Sequence, residues 1–496
     1  MQQADRNLTV ERVGQGTDRR KLRILVVIAS YGESHLEYIR RIIHTYQSMD
    51  MDVDVVVVSE SPKELGPEVE VVVGLPSKNP WTLPFAHKAV FAQRVDHYDL
   101  FVYSEDDIEV TESQIYAFMR ATAAMEPDEI PGYLRFEIAQ NNVKVLTDVH
   151  GAFHWKSESV KRRGGYTIAE FTNEHAGFYI VTQQQLRRAL ASGEFLRAPY
   201  QGRYGLPETA ATDIYTCCGF RKVVCISALD DFLVRHMSNV YVNRHGVLLP
   251  KFQEQIQTLI SIRDGAHPVS GLGMAEPKVL QRNFSKSFYE QPGEEIFKMI
   301  PTSAKKILSV GCGWGAMEVR LKEGGAEVIA IPLDSVSGAA AARLGINVVY
   351  GTLAECLSHL RDCRFDAVVM TDLLHLLPNP EQFIEQCARL VGPEGTLVIG
   401  GPNFDRLPIL IKRVLGKGDY QKLQSFDRSG ISPCGPRQLT RRLKKAGLRV
   451  TATRWFNRAL VHIGSAESIE RFGRLAARNW ILLARRQSVS PNHRSL

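Results

Sequence analysis

No apolar run in this 496-residue chain approaches the roughly 18 residues needed to cross a bilayer, so no transmembrane segment is expected. The opening stretch MQQADRNLTVERVGQGTDRR is polar and lacks an apolar core, so no secretory signal is expected either. The eight cysteines have no metal-ligand spacing, and Cys217 and Cys218 are adjacent rather than C-x-x-C. That argues against a zinc site and for reduced thiols in a cytoplasmic protein. Nowhere do basic and aromatic residues interleave as on a nucleic-acid-binding surface, so no nucleic-acid partner is expected. Neither sign of charge dominates. The net charge of +7 is mild for this length and fits anionic ligands or a loose contact with an anionic membrane surface. An apolar content of 44% and a charged content of 23% are ordinary for a soluble globular chain, and the length suggests two or three domains.

What is present begins with short buried strands. Leu22 to Ala29, Val53 to Val58, Val69 to Val73 and Asp99 to Tyr103 are apolar runs, alternating in part with helical stretches at His35 to Ser48 and Phe85 to Val95. This pattern predicts a parallel, doubly wound α/β sheet, covered on both faces. Ligands in such sheets bind at the strand C-termini. Three polar turns fall there: Ser30-Tyr31, Ser59-Glu60 and the acidic triplet Glu105-Asp106-Asp107. Adjacent carboxylates repel, and a divalent cation with oxygen ligands relieves that repulsion. A solvated acidic turn ahead of the helix near Thr111 is the simpler alternative for the triplet alone. Further on, the sequence predicts a helix at Glu112 to Ala124, strands at Gly132 to Glu137 and Val223 to Ile226, and a Pro-initiated helix within Leu206 to Phe220.

The order of these parts resembles a nucleotide-sugar glycosyltransferase of the GT-A fold, over residues 22 to 246. The matching pieces are Glu105-Asp106-Asp107, the turn His175-Ala176-Gly177-Phe178, Asp213 with Glu208 before it, and His236. The resemblance implies Mn²⁺ or Mg²⁺ held by Glu105, Asp107 and His236, stabilising the departing diphosphate. Ser30, Tyr31, Glu60, Lys88 and Asp106 are the expected nucleotide contacts. An inverting enzyme needs a carboxylate base for the acceptor hydroxyl; Asp213 is the first candidate and Glu208 the second. A helix-surface carboxylate remains open for Asp213, a structural histidine for His236, and a solvated side chain for Lys88 and His87.

Gly and Pro density across 247–281 reads as a linker with one helix, near Phe252 to Ile262. Phe284 to Ile300 reads as one or two leading helices. Strands at Lys305 to Val310, Glu327 to Ile331, Asn347 to Tyr350, Phe365 to Thr371 and Gly395 to Gly400 then alternate with helices, giving a second doubly wound sheet. Within it, ILSVGCGWGAMEVRLKEGG resembles the first motif of the class I S-adenosylmethionine-dependent methyltransferases, and RFDAVVMTDLLHLLPNPEQFIEQCARLVGPEGTLVIGGPN resembles their fourth- and fifth-strand region. The likeness covers about 282–485, leaving tails at 1–21 and 486–496. It implies S-adenosylmethionine held by Gly311, Gly313 and Gly315, with Asp334 and Asp372 nearby. Three positions depart from the family: Ser309, Pro332 and Thr352 stand where acids usually do. Losing a carboxylate that grips the ribose diol removes a charge-assisted acceptor. The domain therefore either methylates with Asp334 and backbone groups, or serves as a degenerate module.

The reading is of two Rossmann-like domains, a metal-dependent glycosyltransferase fused to a methyltransferase-like domain acting on the same product. Its partners would be a nucleotide-sugar and a glycan or lipid-linked glycan. Leu407 to Leu415, LPILIKRVL, is apolar with cationic punctuation and would make any peripheral membrane contact. The alternatives are a methyltransferase whose N-terminal half binds sugar or nucleotide without turnover, and a scaffold with two inactive halves.

Overall fold

The computed structural model describes residues 21–272, 276–279, 284–289, 291–416, 420, 422–423, 425–457 and 474–486. The expected tails lie outside these residues, apart from their inner ends.

Ile24, Leu25, Val26, Val27 and Ile28 are completely buried in the strand Arg23–Ser30, as an apolar run covered on both faces must be. Each such side chain contributes about 1.5–3 kcal/mol. That strand is central in a five-stranded sheet ordered Phe178–Thr182, Leu100–Glu105, Arg23–Ser30, Asp52–Ser59, Val69–Val73. The last four are parallel, whereas Phe178–Thr182 runs antiparallel to Leu100–Glu105. The N-terminal half is not one doubly wound sheet. It adds a mixed four-stranded sheet (Glu129–Pro131, Arg221–Cys225, Tyr166–Phe171, Trp155–Arg163). A mixed five-stranded sheet (Val247–Leu248, Lys144–Leu146, Leu134–Ile138, Leu233–His236, Ile108–Glu109) completes it. The expectation fails because short strands such as Glu129–Pro131 and Ile108–Glu109 carry too few residues to show a period.

The C-terminal sheet has seven strands in the order Asn347–Val348, Glu327–Pro332, Lys306–Cys312, Phe365–Thr371, Val391–Pro402, Asn479–Arg486, Leu448–Phe456. The first five are parallel and Asn479–Arg486 is antiparallel to both its neighbours. This is the doubly wound sheet the sequence predicts, with the late helix Pro436–Lys445 and two final strands. Separate apolar clusters cover its faces.

One expectation about the connection is corrected. Of the leading helices only the single turn Glu294–Phe297 forms among the described residues; Gly293 and the Pro292 before it delay the start. The Gly- and Pro-rich stretch, expected as a linker with one helix near Phe252 to Ile262, carries that helix at Leu249–Arg263 and packs it against both halves. The helix Leu249–Arg263 packs Phe252 against Trp155, and its Leu259 shares one apolar cluster with them and with Val336 of the C-terminal half. Arg343 Nη2 donates to Thr258 Oγ1 at 2.9 Å across this boundary.

Candidate functional site

Parallel register brings the three N-terminal polar turns to one edge: Ser30 lies beside Ser59, and Ala29 beside Glu105. Ser30 is buried and Tyr31 is exposed; Glu60 turns back to accept the Gly32 N–H at 2.9 Å. His236 reaches Asp107 as the sequence order implies, with Nε2 3.0 Å from Oδ2. The three expected metal ligands nonetheless do not form a cation site. Among the described residues no group of three or more His, Cys, Asp or Glu is placed to hold a metal. The reason is local. His236 Nδ1 is taken by Glu137 at 2.6 Å, so both ring nitrogens face carboxylates. Burial opposes the charge on His236, but the Asp107 and Glu137 carboxylates favour it and raise its pKa. Glu105 turns away toward His175, 4.0 Å off, and burial pushes its carboxyl up to about 7. Asp106 hydrogen-bonds His35 at 2.7 Å.

Two further expected site residues meet at the helix Leu206–Thr216. Asp213 is completely buried and ion-paired to the buried Lys88, and it also accepts from Tyr200 Oη at 2.8 Å. The structure thus engages the expected base and the expected phosphate contact with each other. His87 is likewise occupied, Nε2 lying 2.7 Å from Tyr179 Oη. Glu208 is the residue that faces a cavity, of about 590 Å³, alongside Arg135, His175, Arg203 and Tyr241. Glu208 Oε2 and His175 Nδ1 are buried there without hydrogen-bond partners. Burial, then the Arg135 charge, hold His175 neutral. Arg135 itself is pinned by Asp148, which takes its Nε at 2.9 Å. Sequence reasoning missed Arg135, although a signal existed: Arg135 and Glu137 sit two apart, on one face of the apolar strand Leu134–Ile138.

In the C-terminal half Gly311 and Gly315 adopt φ of +81° and +83°, which the tight strand-to-helix turn requires. A side chain at Gly313 would strike the Phe288 carbonyl, 2.5 Å from its Cβ position. Ser309, without the usual acid, donates its hydroxyl to the buried Glu318 of the following helix. A carboxylate thus arrives from the far side of the loop, which strand-by-strand reading did not find. Asp334 caps the helix Ser335–Arg343, its Oδ1 accepting the Ser337 N–H at 2.7 Å and hydroxyl at 2.8 Å. Thr352 caps the next helix together with Glu355. Asp372 is buried at φ +51°, a conformation costly for any residue with a Cβ. It lies between the glycine loop and a second cavity.

The glycine loop, Glu318 and Asp372 suit the methionine end of S-adenosylmethionine. Its nucleoside end, expected beside Pro332 and Thr352, is crossed by the connecting chain. Leu272 N–H donates to Leu333 O at 2.9 Å, and Gly271 bridges Asp334. The Ser270 hydroxyl both accepts the Gly351 N–H at 2.6 Å and donates to Gly351 O at 3.2 Å. Phe288 O takes the Trp314 N–H at 3.1 Å, while Phe288 N–H donates to Gly151 O of the N-terminal half at 2.7 Å. The cleft left beside the glycine loop is only about 60 Å³, with a wider cavity of about 620 Å³ beyond it, lined by Asp334, Thr352, His154 and Arg203.

The methyltransferase domain family matches residues 308–399. A ubiquinone biosynthesis O-methyltransferase of Xylella fastidiosa (strain 9a5c) is 31% identical over 183 residues, spanning 33% of this chain and 71% of the relative. That of Azoarcus sp. (strain BH72) is 29% identical over 155 residues, 30% of this chain and 66% of the relative. Among solved structures, a SAM-dependent methyltransferase from Archaeoglobus fulgidus aligns at 20% identity and a TM-score of 0.29, covering 39% of this chain and 90% of that one.

Proposed function

Because this chain belongs, through its C-terminal half, to the S-adenosylmethionine-dependent methyltransferase family, we propose that it methylates a hydroxyl of a small acceptor bound beside Asp372. The observation that carries this is the placement of Asp372, strained and buried, as a wall common to the glycine-loop cleft and the neighbouring cavity. Strained residues cluster where chemistry is done. Bound S-adenosylmethionine supplies an electrophilic methyl group on sulfur. Gly311, Gly313 and Gly315 present backbone to its methionine end, and the Glu318 carboxylate accepts hydrogen bonds there. Asp372 orients the acceptor hydroxyl and takes its proton. Hydroxyl as the acceptor follows the O-methyltransferase names of the relatives. The test is titration of the full chain with S-adenosylhomocysteine, followed by labelled methyl transfer to hydroxylated acceptors. Binding that disappears in Gly311→Val supports the reading, and no binding at any concentration rejects it.

For the N-terminal half the reading is a module that binds a sugar or nucleotide without turnover. It is supported by two unpartnered buried acceptor and donor atoms, on Glu208 and His175, in the 590 Å³ cavity. Such atoms want a hydroxyl-rich ligand. Glycosyl transfer from a nucleotide-sugar to a glycan or lipid-linked glycan is the second reading, with Glu208 as base. Its Mn²⁺- or Mg²⁺-dependent form requires Asp107 to leave His236. Hydrolysis of a nucleotide-sugar panel with Mn²⁺, abolished by Glu208→Gln, distinguishes the two. No helix among the described residues is long and apolar enough to cross a membrane. Leu407, Ile411 and Val414 of the helix Leu407–Val414 are exposed. They support peripheral membrane contact, which vesicle co-sedimentation tests.

A further inference from the structure

The cavity beyond Asp372, about 310 Å³, holds an excess of positive charge that the described chain leaves uncompensated. Arg406, Lys412 and Arg478 line it, with Phe284, Ile409 and Tyr420 as its apolar side. None of the three cations forms an ion pair among the described residues; the nearby Asp405 is engaged by Arg474 at 3.0 Å. Lys412 Nζ rests over the Tyr420 ring, 4.9 Å from its centre. Two atoms in the wall are buried with no hydrogen-bond partner, Arg406 Nε and the Ser285 hydroxyl. His375 adds no charge. Its Nε2 faces Phe284 O at 2.6 Å, and burial holds its pKa down.

A buried N–H without an acceptor is costly, and more so on a charged group. Water would satisfy the hydrogen bond and leave the charge. An anionic oxygen satisfies both, and a guanidinium prefers the oxygens of a carboxylate or a phosphate. Opposite these donors stand an aromatic and aliphatic wall, and Asp372, which opens on the donor cleft.

We propose that this cavity binds an anionic acceptor: a small hydroxylated molecule bearing a carboxylate or phosphate group. The anion sits on Arg406 and Ser285, with Lys412 and Arg478 supplying long-range attraction. The body packs on Phe284 and Tyr420, and the hydroxyl faces Asp372. This rests on the methyl-transfer reading for the direction in which the hydroxyl points, but the anion site is testable without turnover.

The experiment is calorimetric titration of the full chain with phenyl phosphate, benzoate and benzyl alcohol, and separately with S-adenosylhomocysteine. At least one anion is expected to bind one-to-one, tenfold or more tighter than the neutral alcohol, and more weakly as salt is raised. Arg406→Gln should weaken it at least tenfold and Arg478→Gln severalfold. Arg413→Gln, on the same helix but outside the cavity, should leave it unchanged. Tighter phenyl phosphate names the phosphate class, and tighter benzoate the carboxylate class. Equal binding of benzyl alcohol, or an anion affinity indifferent to Arg406→Gln in a protein whose circular dichroism is unchanged, overturns the proposal. S-adenosylhomocysteine binding without Arg406-dependent anion binding sinks the anion site alone. Arg406-dependent anion binding without S-adenosylhomocysteine binding sinks methyl transfer alone.

Discussion

Replacing Ser270 with alanine removes the two hydrogen bonds that its hydroxyl makes to the backbone of Gly351, at 2.6 and 3.2 Å. Those bonds hold the connecting chain across the place where the nucleoside end of S-adenosylmethionine is expected. A protein that must first displace its own chain binds ligand with an affinity reduced by the fraction of open molecules. Each bond contributes about 1 kcal/mol net, so the closed arrangement loses about 2 kcal/mol. Opened, the Gly351 N–H and C=O meet water or ligand, so their loss of a partner penalises only the closed form. A shift of about 2 kcal/mol is roughly thirtyfold in apparent affinity. The assay is calorimetric titration of the full chain with S-adenosylhomocysteine, wild type against Ser270→Ala, with thermal melting as the check on folding. Ser335→Ala, which frees Pro268 O and Ser270 O, should act in the same direction. Unchanged or weaker binding in both variants would refute the reasoning. It would mean that this segment is part of the binding surface rather than in its way.

The buried pair Lys88–Asp213 gives a second expectation: Asp213→Ala should cost about 3–5 kcal/mol by stranding a buried ammonium. The double variant Lys88→Met/Asp213→Leu should recover most of the melting temperature, and a mild single variant would contradict the pairing. Asp372→Gly should relieve about 1 kcal/mol of backbone strain, raising the melting temperature while methyl transfer falls. A drop in both would show that the side chain is chiefly structural. Glu129 is buried, which alone would raise its pKa, but Arg163 and Lys161 hold it down at about 2. The native state therefore binds fewer protons than the unfolded one between about pH 4.5 and 2, so this stabilisation is whole above 4.5 and is lost as pH falls toward 2. Glu129→Gln should destabilise by up to about 3 kcal/mol at pH 7. The gap from wild type should close toward pH 2; a gap independent of pH would deny the ion-pair origin.

What the sequence made legible, and what it hid, follows from how much of each feature is local. The strand Phe365–Thr371 and helix Pro380–Leu390 fall where the apolar period puts them, because seven and eleven residues suffice to show a period. The family resemblance put His236 and Asp107 at one site, as co-ligands of a metal rather than as the directly bonded pair they form. That Glu137 takes the other ring nitrogen was not legible, since no motif marks Glu137 and only the pairing of the strands Leu134–Ile138 and Leu233–His236 brings it there. Glu208 and Asp213 are five residues apart on one helix, hence about 140° apart around it at 100° per residue, so one cavity cannot receive both. Sequence order ranked Asp213 first; burial beside Lys88 reverses the ranking. The connecting segment is the most instructive case. Gly and Pro density marks where regular structure stops, not where contacts stop. The two are different, because every buried N–H and C=O still needs a partner. Gly271 is without a side chain where one would sit 2.9 Å from Leu333 O, and that omission lets the segment lie directly on the strand ends. A glycine in an irregular stretch can thus signal close approach as well as freedom. Here the apolar Leu272 beside it, buried in the C-terminal core, was the local sign of which applied.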